Sequence, residues 1–227
     1  MQLRRALVIG SLAHLASRAV AAPAAPPKPT LAILFFDYTG KDEALAPLRE
    51  GLAQMLISDF SAGGQVRVVE RARLKALLEE QKLGQSGQVD PASASRVGKL
   101  LGARFLVLGS FFDLKNVLRI DARVVEVETG RIIKSVGANG AADDFWTLEK
   151  TVAQKLGEVL ETALPAFTRP AATVPAKVKS RTVAVYGRAL RAIDAGQKTE
   201  ARKLLDQVVA EAPQFSLARS DLNALLQ

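Results

Sequence analysis

Leu31 to Phe36 is an unbroken apolar run that ends in Asp37, with a Thr39-Gly40 turn behind it. Short apolar runs bounded by turn residues read as strands buried on both faces. The spacing then changes. Leu45, Leu48, Leu52, Met55, Leu56 and Phe60 recur at a helical period, which predicts an amphipathic helix over 43–61, ended by Gly63-Gly64. Val66 to Val69 predicts a short strand. Leu74, Leu77 and Leu78 line one face of a helix over 70–82, with Lys and Glu opposite. Asp90-Pro91 supplies an N-cap oxygen and a first-turn proline for a helix that runs to Leu101 and stops at Gly102.

The middle of the chain alternates at a period of two. Residues 105–112, 117–127 and 131–136 read as strands, joined by Asp113–Asn116 and by Glu128-Thr129-Gly130. Such short polar connections make neighbouring antiparallel strands. In the second strand Leu118, Ile120, Ala122 and Val124 alternate with Arg119, Asp121 and Arg123. The parity then flips to Val125 and Val127, which predicts a β-bulge near Val124-Val125. Asp143-Asp144 are placed to cap a last helix over 145–163, with Leu148, Val152, Leu156, Val159, Leu160 and Ala163 inward. The order βαβααβββα gives an α/β (α+β) fold with a mixed five-stranded sheet flanked by helices.

Pro165, Pro170 and Pro175 mark residues 164–180 as a linker. Helices follow at about 181–195, 198–211 and 215–226. Ala189, Gly196, Ala201 and Pro213 sit at spacings that match a tetratricopeptide unit. One such unit buries little apolar surface alone, so it must dock on the main domain, on another copy or on a partner.

The start of the chain looks like an export signal. Arg4 and Arg5 precede an apolar stretch from Ala6 to Ala16, too short to span a bilayer as a helix, and small residues around Ala19-Val20-Ala21 suit a cut after Ala21. The expected division is therefore a signal over 1–21, a Pro/Ala-rich spacer over 22–30, a main domain over 31–163, the linker over 164–180 and a helical module over 181–227.

The cut changes the chemistry available. The 227-residue chain carries one histidine, no cysteine and a net charge of +8. Removing Arg4, Arg5, Arg18 and His14 leaves a net +5 and no histidine. No disulfide, thiolate metal site or cysteine nucleophile can form. Histidine-based acid/base or metal chemistry goes with His14. The remaining Lys and Arg are interleaved with Glu and Asp, with no basic stripe carrying stacking aromatics, so nucleic acid is not an expected partner. No cofactor is called for.

From Val68 to Gly109 the sequence becomes specific. LAILFFDYTG near the start, the ER-x-x-L-x-x-LL-x-EQ helix, the SGQVDP turn, GKLLGA and the closing VVEVETGRI hairpin resemble the CsgG family of envelope proteins, which includes the curli secretion channel. The same run is similar to the TolB N-terminal domain, the flagellar FlgO proteins and the LpoB-type activators of penicillin-binding proteins. The resemblance covers about residues 31–163 and its motifs are turns and core positions. It implies a periplasmic fold, associated with the outer membrane in some relatives, and it leaves curli, flagellar and cell-wall roles open. Two departures separate the chain from a curli-type channel. It has no cysteine for a lipoprotein anchor. Its strand connections also lack the length of membrane hairpins, whose strands need about 9–11 residues each.

The expected function is that of an exported, non-enzymatic envelope protein that recognises partners through its surfaces. The alternatives are a subunit or accessory of a CsgG-type secretion system, and a nucleotide- or sugar-binding enzyme. For the last, Asp37, Tyr38 and Thr39 lie at the C-terminal end of the first strand, where open α/β sheets often bind ligands. Trp146 could anchor a partner at the start of the last sheet-packing helix. Tyr186 and Arg188 belong to the helical tail, whose groove suits a partner segment. The envelope partner is expected there, and assembly into a homo-oligomer is open.

Overall fold

The computed structural model describes residues 28–80, 91–164, 167 and 177–226. The expected export signal, the Asp90 cap, and most of the expected spacer and linker lie outside these described residues. Three short strands come first in the chain: β1 (Thr30–Ile33), β2 (Asp37–Tyr38) and β3 (Arg67–Val68). The long strands β4 (Phe105–Leu114), β5 (Val117–Glu126) and β6 (Ile132–Ala141) complete a mixed sheet in the order β3-β1-β4-β5-β6. β1 runs parallel to β3 and β4, and the last three strands form an antiparallel meander.

The sheet has six strands rather than five because the run Leu31–Phe36 does not stay in one ladder. Ile33 pairs with Val107, but Asp37 pairs with Ser110. Three residues, Leu34 to Phe36, therefore span two on β4, which is a bulge. The extra residue turns Phe36 over Gly109, where a Cβ would sit 2.5 Å from the Phe36 ring. Glycine at 109 makes room for the ring.

Two further expectations shift. The helix expected over 43–61 divides into a 3-10 turn at Glu43–Leu45 and α1 (Leu48–Ala62), with Pro47 at the joint. The third long strand runs five residues beyond 136. Its tail, Gly137 to Ala141, is poor in strand formers, but its glycines admit close neighbours. A Cβ on Gly137 would meet the Asp121 carboxylate at 2.5 Å, and one on Gly140 would press Leu148 at 3.4 Å. The bulge at Val124/Val125 lies where the parity flip puts it. Lys115 and Asn116 both adopt positive φ, so the β4–β5 hairpin closes in a two-residue primed turn that matches the strand twist.

Helices cover both faces. α1 and α4 (Phe145–Ala163) pack on one side, over Leu31, Ile33, Phe105, Val107, Phe111, Leu118 and Ile120. α2 (Arg71–Glu80) and α3 (Pro91–Leu101) cover the other, over Ala32, Leu34, Leu106, Leu108, Val125 and Val127. Gly64 and Gly102, at φ +62° and +64°, end α1 and α3 as glycine does beyond a helix terminus.

Beyond α1 lies a further helical layer. α5 (Ser180–Asp194) packs along α1, α6 (Lys198–Glu211) on α5, and α7 (Ser216–Leu225) on α6. A Cβ on Gly187 would overlap the Pro47 carbonyl oxygen, and one on Gly51 would lie 2.6 Å from Val183. The two backbones approach as closely as they do because neither glycine carries a side chain. Ion pairs seal the edges: Arg191 to Glu50 at 2.9 Å, Arg181 to Asp42 at 2.8 Å and Arg71 to Asp194 at 2.5 Å. The apolar core is continuous from the sheet through α1 into α5, α6 and α7. Among the described residues, no helix is long and apolar enough to cross a membrane.

Candidate functional site

The end of β2 holds three of the residues singled out from sequence. Tyr38 packs its ring on Phe111, with centroids 5.0 Å apart. Its hydroxyl donates to the Asp113 carboxylate and accepts the Asp42 backbone N–H at 2.8 Å. The Asp42 carboxylate caps the 3-10 turn through the Ala44 N–H at 3.0 Å and accepts from Arg181 of α5 at 2.8 Å. Thr39 bonds back to the Phe111 carbonyl through its own N–H at 3.0 Å. Gly40 sits against this cluster, because a Cβ there would collide with the Tyr38 ring edge and the Asp113 carboxylate. The D-Y-T-G stretch thus ties β2 to the turn end of the β4–β5 hairpin and, through Asp42, to the tail.

Electrostatics restrict what this cluster can do. Burial and the Asp113 hydrogen bond push the Tyr38 hydroxyl up to about 12, so it stays protonated and acts as a donor near neutral pH. Burial also raises Asp37, against the pull of Arg49. Among the described residues, no group of three or more His, Cys, Asp or Glu is placed to hold a metal ion.

Trp146 and Tyr186 come together elsewhere. Both rings meet Phe215 edge-on, at 6.1 and 4.9 Å between centroids. Tyr186 is fully buried and donates to Asp221 of α7 at 2.7 Å, and burial drives its hydroxyl well above its ordinary range. Trp146 is half-buried, with the Lys150 ammonium 4.6 Å above its ring. Arg188 lies apart from this cluster, exposed on the outer side of α5. Asp143 and Asp144 form a 3-10 turn before α4, and the Asp144 side chain makes no capping hydrogen bond.

Sequence reasoning missed a buried charge cluster between α1 and α4. Lys150 reaches the Asp59 carboxylate at 2.6 Å and Glu149 at 3.1 Å. Glu149 has no exposed surface. Burial, with Asp59 beside it, raises its carboxyl to about 8, while Lys150 pulls the other way. Lys150 itself is raised: burial opposes its charge, and Glu149 and Asp59 outweigh that. The signal was present, since Glu149 falls at helical spacing with Phe145, Val152 and Leu156 on the apolar face of α4.

Residues 28–117 match the family model described as "Curli production assembly/transport component CsgG". The chain thus carries a CsgG-like region, reaching from just before β1 to the start of β5. The VVEVETGRI hairpin lies beyond the matched span. A curated protein of Rhizobium meliloti (strain 1021), named "Putative adenylate cyclase 3", is 23% identical over 206 residues. That alignment takes in 89% of this chain and 33% of the relative, so the chain spans about a third of that protein. Among solved structures, the LpoB C-terminal domain from Salmonella enterica is similar over 53% of this chain and 87% of that one, at 19% identity and a TM-score of 0.41. Lipoprotein GNA1162 from Neisseria meningitidis is similar over 61% and 99%, at 11% identity and 0.43. The PelC dodecamer from Paraburkholderia phytofirmans is similar over 50% and 72%, at 12% identity and 0.34. These structural likenesses are loose.

Proposed function

We propose that the protein is an exported, non-enzymatic component of the cell envelope that acts as a protein-binding scaffold or assembly factor in the periplasm. The observation that supports this most is the CsgG model match over residues 28–117, a model described as one of assembly and transport. The side chains singled out for chemistry fit the reading. Tyr38 and Tyr186 spend their hydroxyl hydrogen bonds on neighbours within the chain, which favours a structural use. The reading divides the chain into signal, spacer, CsgG-like domain, linker and tetratricopeptide-like module. Its contact residues are the exposed Arg188 on the tail, Asp37 and the exposed Thr39 at the end of β2, and, separately, the half-buried Trp146 at the start of α4.

The test is crosslinking of the full-length protein in the native envelope, with Arg188→Glu and, at the exposed Arg202 of α6, Arg202→Glu introduced together. Truncating the tail would strip α1 of its cover and create a sticky surface, so surface substitution is the cleaner comparison. Loss of specific crosslinked partners supports docking through the tail. An unchanged partner set would show that the tail is not the docking surface. Mass measurement of the purified protein decides whether copies assemble, as a secretion-system subunit would require.

An enzyme reading takes its support from the name of the Rhizobium meliloti relative. Thermal-shift measurements with adenine nucleotides address it. A shift lost in Asp37→Ala would favour the enzyme reading, and no shift would leave the scaffold.

A further inference from the structure

The parallel strands β1, β3 and β4 begin side by side, with Thr30 paired to Arg67 and Leu31 to Phe105. Their N-terminal ends therefore share one rim of the sheet. An open cavity of about 620 Å³ lies there, lined by Lys28, Arg67 and Arg104 together with Thr30, Gly64 and Gly102 and their neighbours. Among the described residues its lining holds three cationic residues and no carboxylate. The segment before Lys28 has no acidic residue to neutralise them.

The cations are arranged rather than scattered. Arg67 donates through Nε and Nη2 to the Thr30 hydroxyl, at 3.3 and 3.0 Å, which orients the guanidinium and leaves Nη1 for another acceptor. Arg104 lies over the Phe105 ring at 5.1 Å. Gly64 and Gly102 have open space where a Cβ would be, so nothing fills the cavity from those walls. One part of the charge has a structural explanation. α1 and α3 end here, and each helix C-terminus carries about −0.5 of an elementary charge. Two such ends offset about one cation in three. The remaining positive charge is unbalanced, and like charges held around one cavity are relieved by an anion. Guanidinium groups are matched to phosphate in shape as well as charge.

We infer that this rim cavity, built from Lys28, Arg67 and Arg104, binds a phosphate ester. The chemistry is shared by an anionic phospholipid headgroup and by a free phosphate compound, and the cavity has room for more than the phosphoryl group alone. The inference does not rest on the scaffold reading, and either can fail without the other.

The experiment uses the full chain and two probes. Inorganic phosphate is titrated while backbone amide resonances are followed by nuclear magnetic resonance. Vesicles of phosphatidylglycerol in phosphatidylcholine are sedimented with the protein, against pure phosphatidylcholine. The expected result is a shift confined to Thr30, Gly64, Gly102 and their neighbours, or sedimentation that needs phosphatidylglycerol. Binding should weaken about tenfold or more in Lys28→Gln/Arg104→Gln, the loss expected for two charge-assisted contacts. Shifts with phosphate but no vesicle binding assign a free ester, and vesicle binding without shifts assigns a headgroup. If the double variant does not fold, Lys28→Gln alone, outside any helix or strand, should still weaken binding about threefold. Neither probe binding, or variants binding as the parent does, would overturn the site.

Discussion

The two faces of the sheet are covered in different ways. One face carries α1 and α4 and, stacked beyond α1, the three C-terminal helices, in a single continuous core. The other carries α2 and α3, over a smaller separate core. Beyond those two helices, the outer ends of β4 and β5 show Phe112, Leu114 and Val117 to solvent, next to the Arg119–Asp121 pair. The thick side has close backbone approaches and a buried charge cluster. The thin side has one close approach, of Gly98 in α3 to the Val127 side chain, and an open hairpin end. The lesson is that the tail belongs to the thick core, and removing it would be a core deletion rather than the loss of an appendage.

The largest expected effect is on the thick side. Gly187→Leu must push α5 off the Pro47 carbonyl, and should cost about 3 kcal/mol or more in denaturant unfolding. Arg188→Leu, one residue on but exposed, is the control and should leave the midpoint unchanged. An unperturbed Gly187→Leu midpoint would mean that the α1–α5 seam is not close-packed.

On the thin side Leu74→Ala should cost about 2 kcal/mol, the low end for a buried leucine, because the smaller core can relax. Combining it with Gly187→Leu tests whether the faces are independent. A sum within about 0.5 kcal/mol of the single losses keeps them separate. A larger departure would assign coupling to the Arg71–Asp194 pair, which joins α2 to α5.

Glu149 makes the thick side pH-sensitive. Its carboxyl is raised in the fold, so an unfolded chain releases that proton first as pH rises. The favourable contribution is whole below the ordinary glutamate value of 4.5 and is lost as pH rises toward about 8. Glu149→Gln removes the ionisation and should gain on the order of 1 kcal/mol at pH 8, and little at pH 4. An equal effect at both pH values would indicate packing rather than protonation.

The smallest effect belongs to the exposed hairpin end of the thin face. Leu114→Asn should change stability by less than about 0.5 kcal/mol, since the side chain is 64% exposed. A large loss in urea titration would show that this end of the thin face is covered in solution.

Periodicity made most of the elements legible. The three tail helices fall within a residue of their expected bounds, and the bulge at Val124/Val125 sits where the alternation breaks. What escaped depends on space between elements. The bulge at Leu34–Phe36 exists because Phe36 needs Gly109, 73 residues away, which no local pattern records. The end of β6 escaped because Gly137 and Gly140 are chosen for what leans on them, against their own strand propensity. At the candidate site, the D-Y-T-G stretch was visible as a turn at a strand end. Its partner Asp113, and the Arg181 partner of the neighbouring Asp42, were not, because hydrogen bonds across the fold leave no spacing to read. Tyr186 was singled out for a groove and is placed in the interior, where its ring and Asp221 close the tail on itself.

The seam between Gly51 and Gly187 also imposes an order of events. α1 emerges from the ribosome early, yet the helix that covers its outer face begins only at Ser180. Until then the half-built chain holds a bare greasy stripe with nowhere to put it. Such a chain must stay unfolded, be escorted, or risk sticking to its neighbours until nearly all of it has been made.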